Sequence, residues 1–358
     1  MGRELSDLSA IQRCDRPAVA ELGDSAEDWL ARLACATRID LAGRDRTRCR
    51  AVVTLLHGNE PSGTRALREW LAQGEQPAVD LHCFVMGVEL ALAAPGFHHR
   101  TLPGQRDLNR CFLDGPDTPL DPPGRLASEL LRQLKELAPE AIIDLHNTSG
   151  ESPAYGVTTR VDDARLSLTS LFASHMIKTD IHLGSLMEAA EDICPVVTIE
   201  CGRAGDPAAD RIGLAGLTRF AASDDPTRLQ NRETPAVLLH PVRVALADGA
   251  RVVYADTPQA GIDITLKTDV DRHNFDPVLP GEVLGWVGER GLAGLCAESG
   301  SGDDIVNELF DVREGRLEPR VPLELLMVTT RIEIAEKDCL FYAVPPGEQD
   351  QPGEQDVA

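Results

Sequence analysis

Three apolar runs along the chain end in polar side chains. Ala51-Val52-Val53-Thr54-Leu55-Leu56 leads into His57-Gly58-Asn59-Glu60, the run from Ala141 to Leu145 into His146-Asn147, and Cys194 to Ile199 into Glu200. Short apolar runs bounded by turn residues have the pattern of strands buried on both faces. Pro61 can open a helix through about Leu71, completing a strand, turn and helix unit. A further strand is predicted over Val79 to Val88, then a Gly- and Pro-punctuated loop from Ala94 to Gly104. Leucine spacing predicts a helix over Arg125 to Leu137, and apolar runs predict strands at about 176 to 183 and 194 to 200. Another helix is expected near 206 to 222, after Pro207. This alternation predicts an α/β fold with a mostly parallel central sheet and helices on both faces. The three polar strand ends then share one edge of the sheet.

The flanks read differently. Residues 1 to 45 mix charged and apolar positions in helical fashion, with Ser25 as an N-cap, and predict a peripheral helical segment. After about Asp225, short runs (Val237 to Val244, Arg251 to Tyr254, Ile262 to Thr268, Glu282 to Val287, Leu325 to Glu333, Leu340 to Val344) predict a smaller, mainly antiparallel β domain. The expected division is 1–45 helical, 46–225 α/β, 226–344 β, and a disordered tail over 345–358, where a Pro-Gly-Glu-Gln-Asp unit repeats.

Composition narrows the function. With 42% apolar and 26% charged residues in 358, the chain is expected to be a soluble globular protein. Its 58 acidic residues against 35 basic ones give a net charge of -23, which repels nucleic acid and anionic membrane. An anionic small substrate therefore needs a local cationic site. Lysine stands only at 135, 178, 267 and 337, so arginine carries nearly all positive charge, a bias that genomic base composition explains as well as function does. Nine cysteines without a C-x-x-C pair fit reduced thiols, the first residues lack an apolar signal-peptide core, and no window approaches the length of a membrane span. The expected location is cytoplasmic.

His57 and Glu60, three apart at a strand end, can offer a nitrogen and an oxygen to one cation, although an H-x-x-E alone also describes a surface loop. His146, ending a neighbouring strand, makes a His2Glu set with a fourth position left for water. Asp144 lies on the same side of its strand as His146 and either steers the metal shell or pairs with a basic neighbour. Amide cleavage also needs a group to take a water proton and return it to the amine, and Glu200 is the candidate; the alternative for it is a helix-start carboxylate or a partner of Arg203. Asn109 and Arg110 follow the cationic loop 97–106 and can clamp a substrate carboxylate, or belong to a solvated arginine loop.

Together these motifs resemble the aspartoacylase and succinylglutamate desuccinylase family, a branch of the carboxypeptidase-like zinc hydrolases. The resemblance lies in His57-Gly58-Asn59-Glu60-Pro61-Ser62-Gly63, Arg106-Asp107-Leu108-Asn109-Arg110-Cys111-Phe112, Asp144-Leu145-His146-Asn147-Thr148 and Ile199-Glu200-Cys201-Gly202, with a weaker stretch from Asn274 to Glu282. It implies one Zn2+ per chain held by His57, Glu60 and His146, with Glu200 as proton shuttle. It also implies that Asn109 and Arg110 bind the substrate carboxylate with Asn147 nearby, and that Arg100, or alternatively Arg106, stabilises the oxyanion. Where aspartoacylases carry a further substrate-binding arginine, this chain has Glu188, Glu191 and Asp192, and the family's C-terminal tyrosine region is missing. A substrate with two carboxylates is thereby disfavoured, and the acids near 188–192 become candidates to meet a cationic side chain. The implied activity is zinc-dependent removal of an N-acyl group from a small N-acyl amino acid. Alternatives are a zinc carboxypeptidase acting on short peptides and a non-catalytic metal-binding relative. A small N-acyl amino acid is the only partner implied, and a homo-oligomer is left open.

Overall fold

The computed structural model describes residues 10–113, 115, 121–180, 182–229, 232–298, 302–336 and 339–345. Among these, nine strands form one sheet in the order β1-β2-β4-β3-β5-β8-β6-β7-β9. The strands are β1 (Gln12–Asp15), β2 (Thr37–Leu41), β3 (Asp45–Thr54), β4 (Val79–Val85), β5 (Ile142–Thr148), β6 (Tyr155–Thr158), β7 (His175–Lys178), β8 (Val196–Arg203) and β9 (Ala236–Leu239). The central run β4, β3, β5, β8 is parallel throughout, with antiparallel pairs on either side of it, at β2 with β4 and β6 with β8.

The helices are α1 (Ala26–Leu33), α2 (Ser62–Gln73), α3 (Val88–Leu92), α4 (Pro122–Leu137), α5 (Asp163–Ser170), α6 (Leu186–Ala190) and α7 (Pro207–Ala222). Strand β3 shows why both faces are covered. Val52 packs on one side with Trp29, Leu67, Trp70 and Phe220, while Ala51 and Val53 pack on the other with Leu130, Leu134 and Leu186. Period-two alternation in a strand buried on both faces gives the unbroken apolar run seen in the sequence. The fully buried Arg50 guanidinium fastens the middle of β3 to the end of α7 through Glu140 and the carbonyls of Phe220, Ser223 and Asp224.

Several local expectations change. The N-terminal stretch is not simply helical: Ser25 does cap α1 by accepting from the Asp28 N–H, but β1 and β2 extend the sheet on either side of that helix. Thr37-Arg38-Ile39-Asp40-Leu41 alternates buried and half-buried positions, a strand pattern too short to stand out among charges. The strand expected to reach Val88 stops at Val85, and α3 begins at Val88. The strand expected over 176–183 is confined to His175–Lys178.

The chain divides into two compact units, one comprising residues up to Ser149 and Pro153–Val237, the other Gly150–Ser152 and Leu238 onward. The change of unit thus falls about a dozen residues beyond the expected 225, after the chain has entered β9. The second unit holds two five-stranded sheets around its own core of Val244, Ile264, Leu266, Phe310, Leu325 and Phe341. Its described pairs are antiparallel except that of Val252–Tyr254 with Ile264–Leu266 and a single bridge of Asn274 with Leu325. The stretch expected to be one strand from Leu325 to Glu333 is a strand over Leu323–Leu326 and a helical turn over Ile332–Ala335. Asn274 binds the Val328 backbone at both N–H and C=O and donates to the Glu151 carbonyl, which holds residues 150–152 in this unit. The expected tail lies, from residue 346 on, outside the described residues. Among the described residues no helix is long and apolar enough to cross a membrane.

Candidate metal centre

Register brings the three polar strand ends together. β3 pairs with β5 through Thr54 and Leu145, and β5 pairs with β8 so that His146 stands opposite Glu200. Opposed residues of paired strands point to one face, so the imidazole and the carboxylate share a side of the sheet. Beyond β3 the chain turns through Leu55, at a φ of 63°, and delivers His57 and Glu60 just ahead of α2. Gly58 makes that loop possible. A Cβ there would lie 2.4 Å from Leu90 Cβ and 2.6 Å from the His99 carbonyl oxygen, and the Gly58 N–H donates to the Arg100 carbonyl at 3.3 Å.

His57, Glu60 and His146 are all buried, and each offers one ligand atom within 4.8 Å of the other two. Glu60 sits between the imidazoles, with Oε1 2.8 Å from His57 Nδ1 and Oε2 2.7 Å from His146 Nδ1. The outward nitrogens are each tied to a carboxylate: His57 Nε2 lies 3.1 Å from Asp107 Oδ1, and His146 Nε2 lies 2.9 Å from Asp144 Oδ2. Imidazoles whose far N–H is held by a carboxylate while the near nitrogen points at a shared centre have the arrangement of metal ligands. One oxygen of the neighbouring Glu200, Oε2, is buried without a hydrogen-bond partner. A buried carboxylate oxygen in that condition calls for a cation, a proton or a bound molecule. The donor set therefore fits a divalent cation such as zinc.

The electrostatics agree. Burial pushes the Glu60 carboxyl up, but the adjoining His57 and His146 outweigh it and hold the group well below the usual carboxylate range. Burial lowers His146, yet Asp144 and Glu60 raise it well above the ordinary imidazole value. The cluster attracts positive charge, and a bound cation would take over that role from the imidazole protons. Glu200 is pushed the other way, up to about 7, by burial and then by the charge of Glu60. One carboxylate is thus firmly ionised and its neighbour is poised to exchange a proton near neutrality.

Residues 51–223 match the family model described as the succinylglutamate desuccinylase/aspartoacylase catalytic domain. These residues belong to the succinylglutamate desuccinylase/aspartoacylase family. The fold agrees with that of several solved structures. A succinylglutamate desuccinylase from Vibrio parahaemolyticus has a TM-score of 0.60 at 13% identity, covering 93% of this chain and 98% of its own. The product-bound ectoine utilization protein EutE of Ruegeria pomeroyi has a TM-score of 0.52 at 17% identity, covering 87% of each chain. Murine aminoacylase 3 has a TM-score of 0.50 at 19% identity, covering 85% of this chain and 99% of its own. No curated protein matches the chain by sequence.

Within the desuccinylase/aspartoacylase domain the remaining candidates divide. The Arg100 guanidinium lies against the centre, donating from Nε to Asp107 Oδ2 at 2.9 Å, with Nη1 3.8 Å from Glu60 Oε1. Arg106, the alternative, forks instead onto Asp121 through Nε and Nη2, both at 2.8 Å. Arg110 closes the short 3-10 turn Leu108–Arg110, and its charge reaches Asp107. The Asn109 side-chain oxygen is occupied by the Leu186 N–H at 2.9 Å, which docks the start of α6. Asn147 is likewise engaged within the protein: Oδ1 accepts from the Ser62 N–H, and Nδ2 donates to Ser62 Oγ and the Gly202 carbonyl, each at 2.9 Å. Asn147 thereby joins α2 to the end of β8.

The acids near 188–192 do not converge as a pocket for a cationic side chain. Glu188 accepts from the N–H groups of Leu183 and Ser185 and from Ser185 Oγ, closing the capping box of α6, while Glu191 pairs with Arg160 and Arg165 and Asp192 is exposed. Asp107 is a site neighbour that the sequence alone does not single out. Its signal was its place in the Asp-Leu-Asn-Arg motif, which by itself reads as a turn cap.

Proposed function

We propose that this chain is a zinc-dependent amidohydrolase that removes the N-acyl group from a small N-acyl amino acid. The observation that carries the reading is the convergence of His57, Glu60 and His146 beside a carboxylate whose proton affinity lies near neutrality. His57, Glu60 and His146 would hold the ion, one per chain. When bound there, zinc supplies Lewis acidity, polarising a carbonyl and making water more acidic.

The rest falls to the chain's own side chains. Glu200 takes a proton from the attacking water and returns it to the leaving nitrogen, a task that suits a carboxylate titrating near the working pH. Arg100 donates to the acyl oxygen as negative charge develops on it, where a fixed donor contributes most. Arg110 holds the carboxylate of the amino acid, its planar fork matching the two oxygens. Asn109 and Asn147 act by fixing the turn and the helix start around that substrate, not by reaching for it with their engaged oxygens.

The test is a panel of formyl, acetyl and succinyl amino acids, with short peptides alongside, given to chelator-stripped protein before and after zinc is restored. Zinc-dependent release of free amine from N-acyl amino acids is expected. Glu200→Gln should lower kcat by about 10²- to 10⁴-fold while zinc content is unchanged. Release from peptides alone would instead support a carboxypeptidase, and stoichiometric zinc without any hydrolysis would support a non-catalytic relative.

A further inference from the structure

Asp107 stands between two groups that the proposed reaction uses for different purposes. Its Oδ1 lies 3.1 Å from His57 Nε2, on the side of the ring away from Glu60, and accepts the Asn109 N–H at 2.8 Å. Its Oδ2 accepts from Arg100 Nε at 2.9 Å and Nη2 at 2.8 Å. One carboxylate thus serves an imidazole with one oxygen and the guanidinium fork with the other.

We infer that Asp107 is a positioning residue that sets a metal ligand and the oxyanion arginine together, fixing His57 by one oxygen and Arg100 by the other. The inference rests on the proposed function for what Arg100 does, but its geometry does not depend on any substrate. An imidazole with a carboxylate behind it cannot rotate freely and is a stronger donor to a cation. A half-exposed arginine on a loop has many rotamers, and two contacts to a buried acid select one of them. The loop backbone is held separately, through the Gly58 N–H and the Arg100 carbonyl, so what Asp107 adds is side-chain orientation.

Two substitutions separate this role from the simple capping of a turn. Asn caps as well as Asp, so Asp107→Asn should leave the 3-10 turn folded. Its oxygen can serve His57 Nε2 and the Asn109 N–H, but its amide then turns donors toward the donors of Arg100. Asp107→Ala removes this carboxylate from both clients.

Three readouts follow on the full chain. Zinc affinity, measured by chelator competition, should fall by about 10- to 100-fold in Asp107→Ala and stay within about threefold in Asp107→Asn. The Arg100 Nε–H resonance, assigned by its loss in Arg100→Lys, should exchange slowly with solvent in wild type and rapidly in both variants. At saturating zinc, kcat should fall by about 10²-fold in Asp107→Asn with KM little changed, and Asp107→Asn should cost almost nothing further in an Arg100→Ala background.

Wild-type zinc affinity in Asp107→Ala, an undisturbed Arg100 Nε–H in Asp107→Asn, or losses that multiply in the double variant would each overturn the inference. The first two readouts need no turnover. Failure to hydrolyse any panel substrate would therefore count against the proposed function alone, and Asp107 would stand or fall on zinc affinity and the arginine signal.

Discussion

Glu200 and Glu60 are carboxylates around the same centre, and their surroundings push them in opposite directions. Glu60 meets two imidazoles, whereas Glu200 meets burial and the charge of Glu60. This has a consequence for stability in the metal-free protein. An unfolded chain ionises Glu200 near 4.5, whereas the folded chain holds its proton up to about 7. Between those values the native state binds the extra proton, so this residue makes stability decline as pH rises and imposes its full penalty above the folded value. In metal-free protein, Glu200→Gln should therefore raise Tm over wild type by an amount that is small near about pH 5 and largest near about pH 8. A thermal melt series across that range checks it, and a constant difference would contradict the assignment. Among individual residues, His57, Glu60 and Glu200 were legible because each follows an apolar run. The true partners of Arg106 and Asn147 were not, because Asp121 and Ser62 are brought to them by the fold across 15 and 85 residues.

At the level of elements, the site depends on close approach of two loops. Gly58 lies under the His99 carbonyl and against Leu90, with no room for a methyl group. Gly58→Ala should cost about 2 kcal/mol by overpacking and displace the loop bearing Arg100, weakening zinc binding and turnover together. Urea unfolding of the zinc-free variant measures the first effect, and unchanged stability with unchanged activity would show that the loop can move aside. Strands β3, β5 and β8 were readable in the sequence because burial on both faces writes an unbroken apolar run. β1 was not, since Gln12, Arg13 and Asp15 are exposed along the sheet edge. Capping was legible where it is local, as at Ser25. The second role of Glu188 was hidden because its acidity suggested a ligand when the carboxylate is spent on the α6 capping box.

For the molecule as a whole, a net charge of -23 surrounds a centre that gathers positive charge. Arg100, Arg106, Arg160 and Arg165 are all paired with acids, and the candidate metal ligands gather at one end of one sheet. The α/β class and the later β unit could be anticipated from strand and helix alternation followed by short strands. The membership of Gly150–Ser152 in the second unit could not, because Asn274, which holds that stretch, lies more than a hundred positions downstream. A cation that binds only the folded chain adds stability by mass action, about 4 kcal/mol at a thousandfold excess over Kd. Calorimetric titration of zinc into chelator-stripped protein therefore addresses the shared ligand set directly. The ligand set predicts one equivalent per chain, with binding lost or reduced at least about 100-fold in His57→Ala, Glu60→Ala and His146→Ala alike, and retained in Arg106→Ala. Full-affinity binding that survives replacement of any one of those three residues would contradict a common centre.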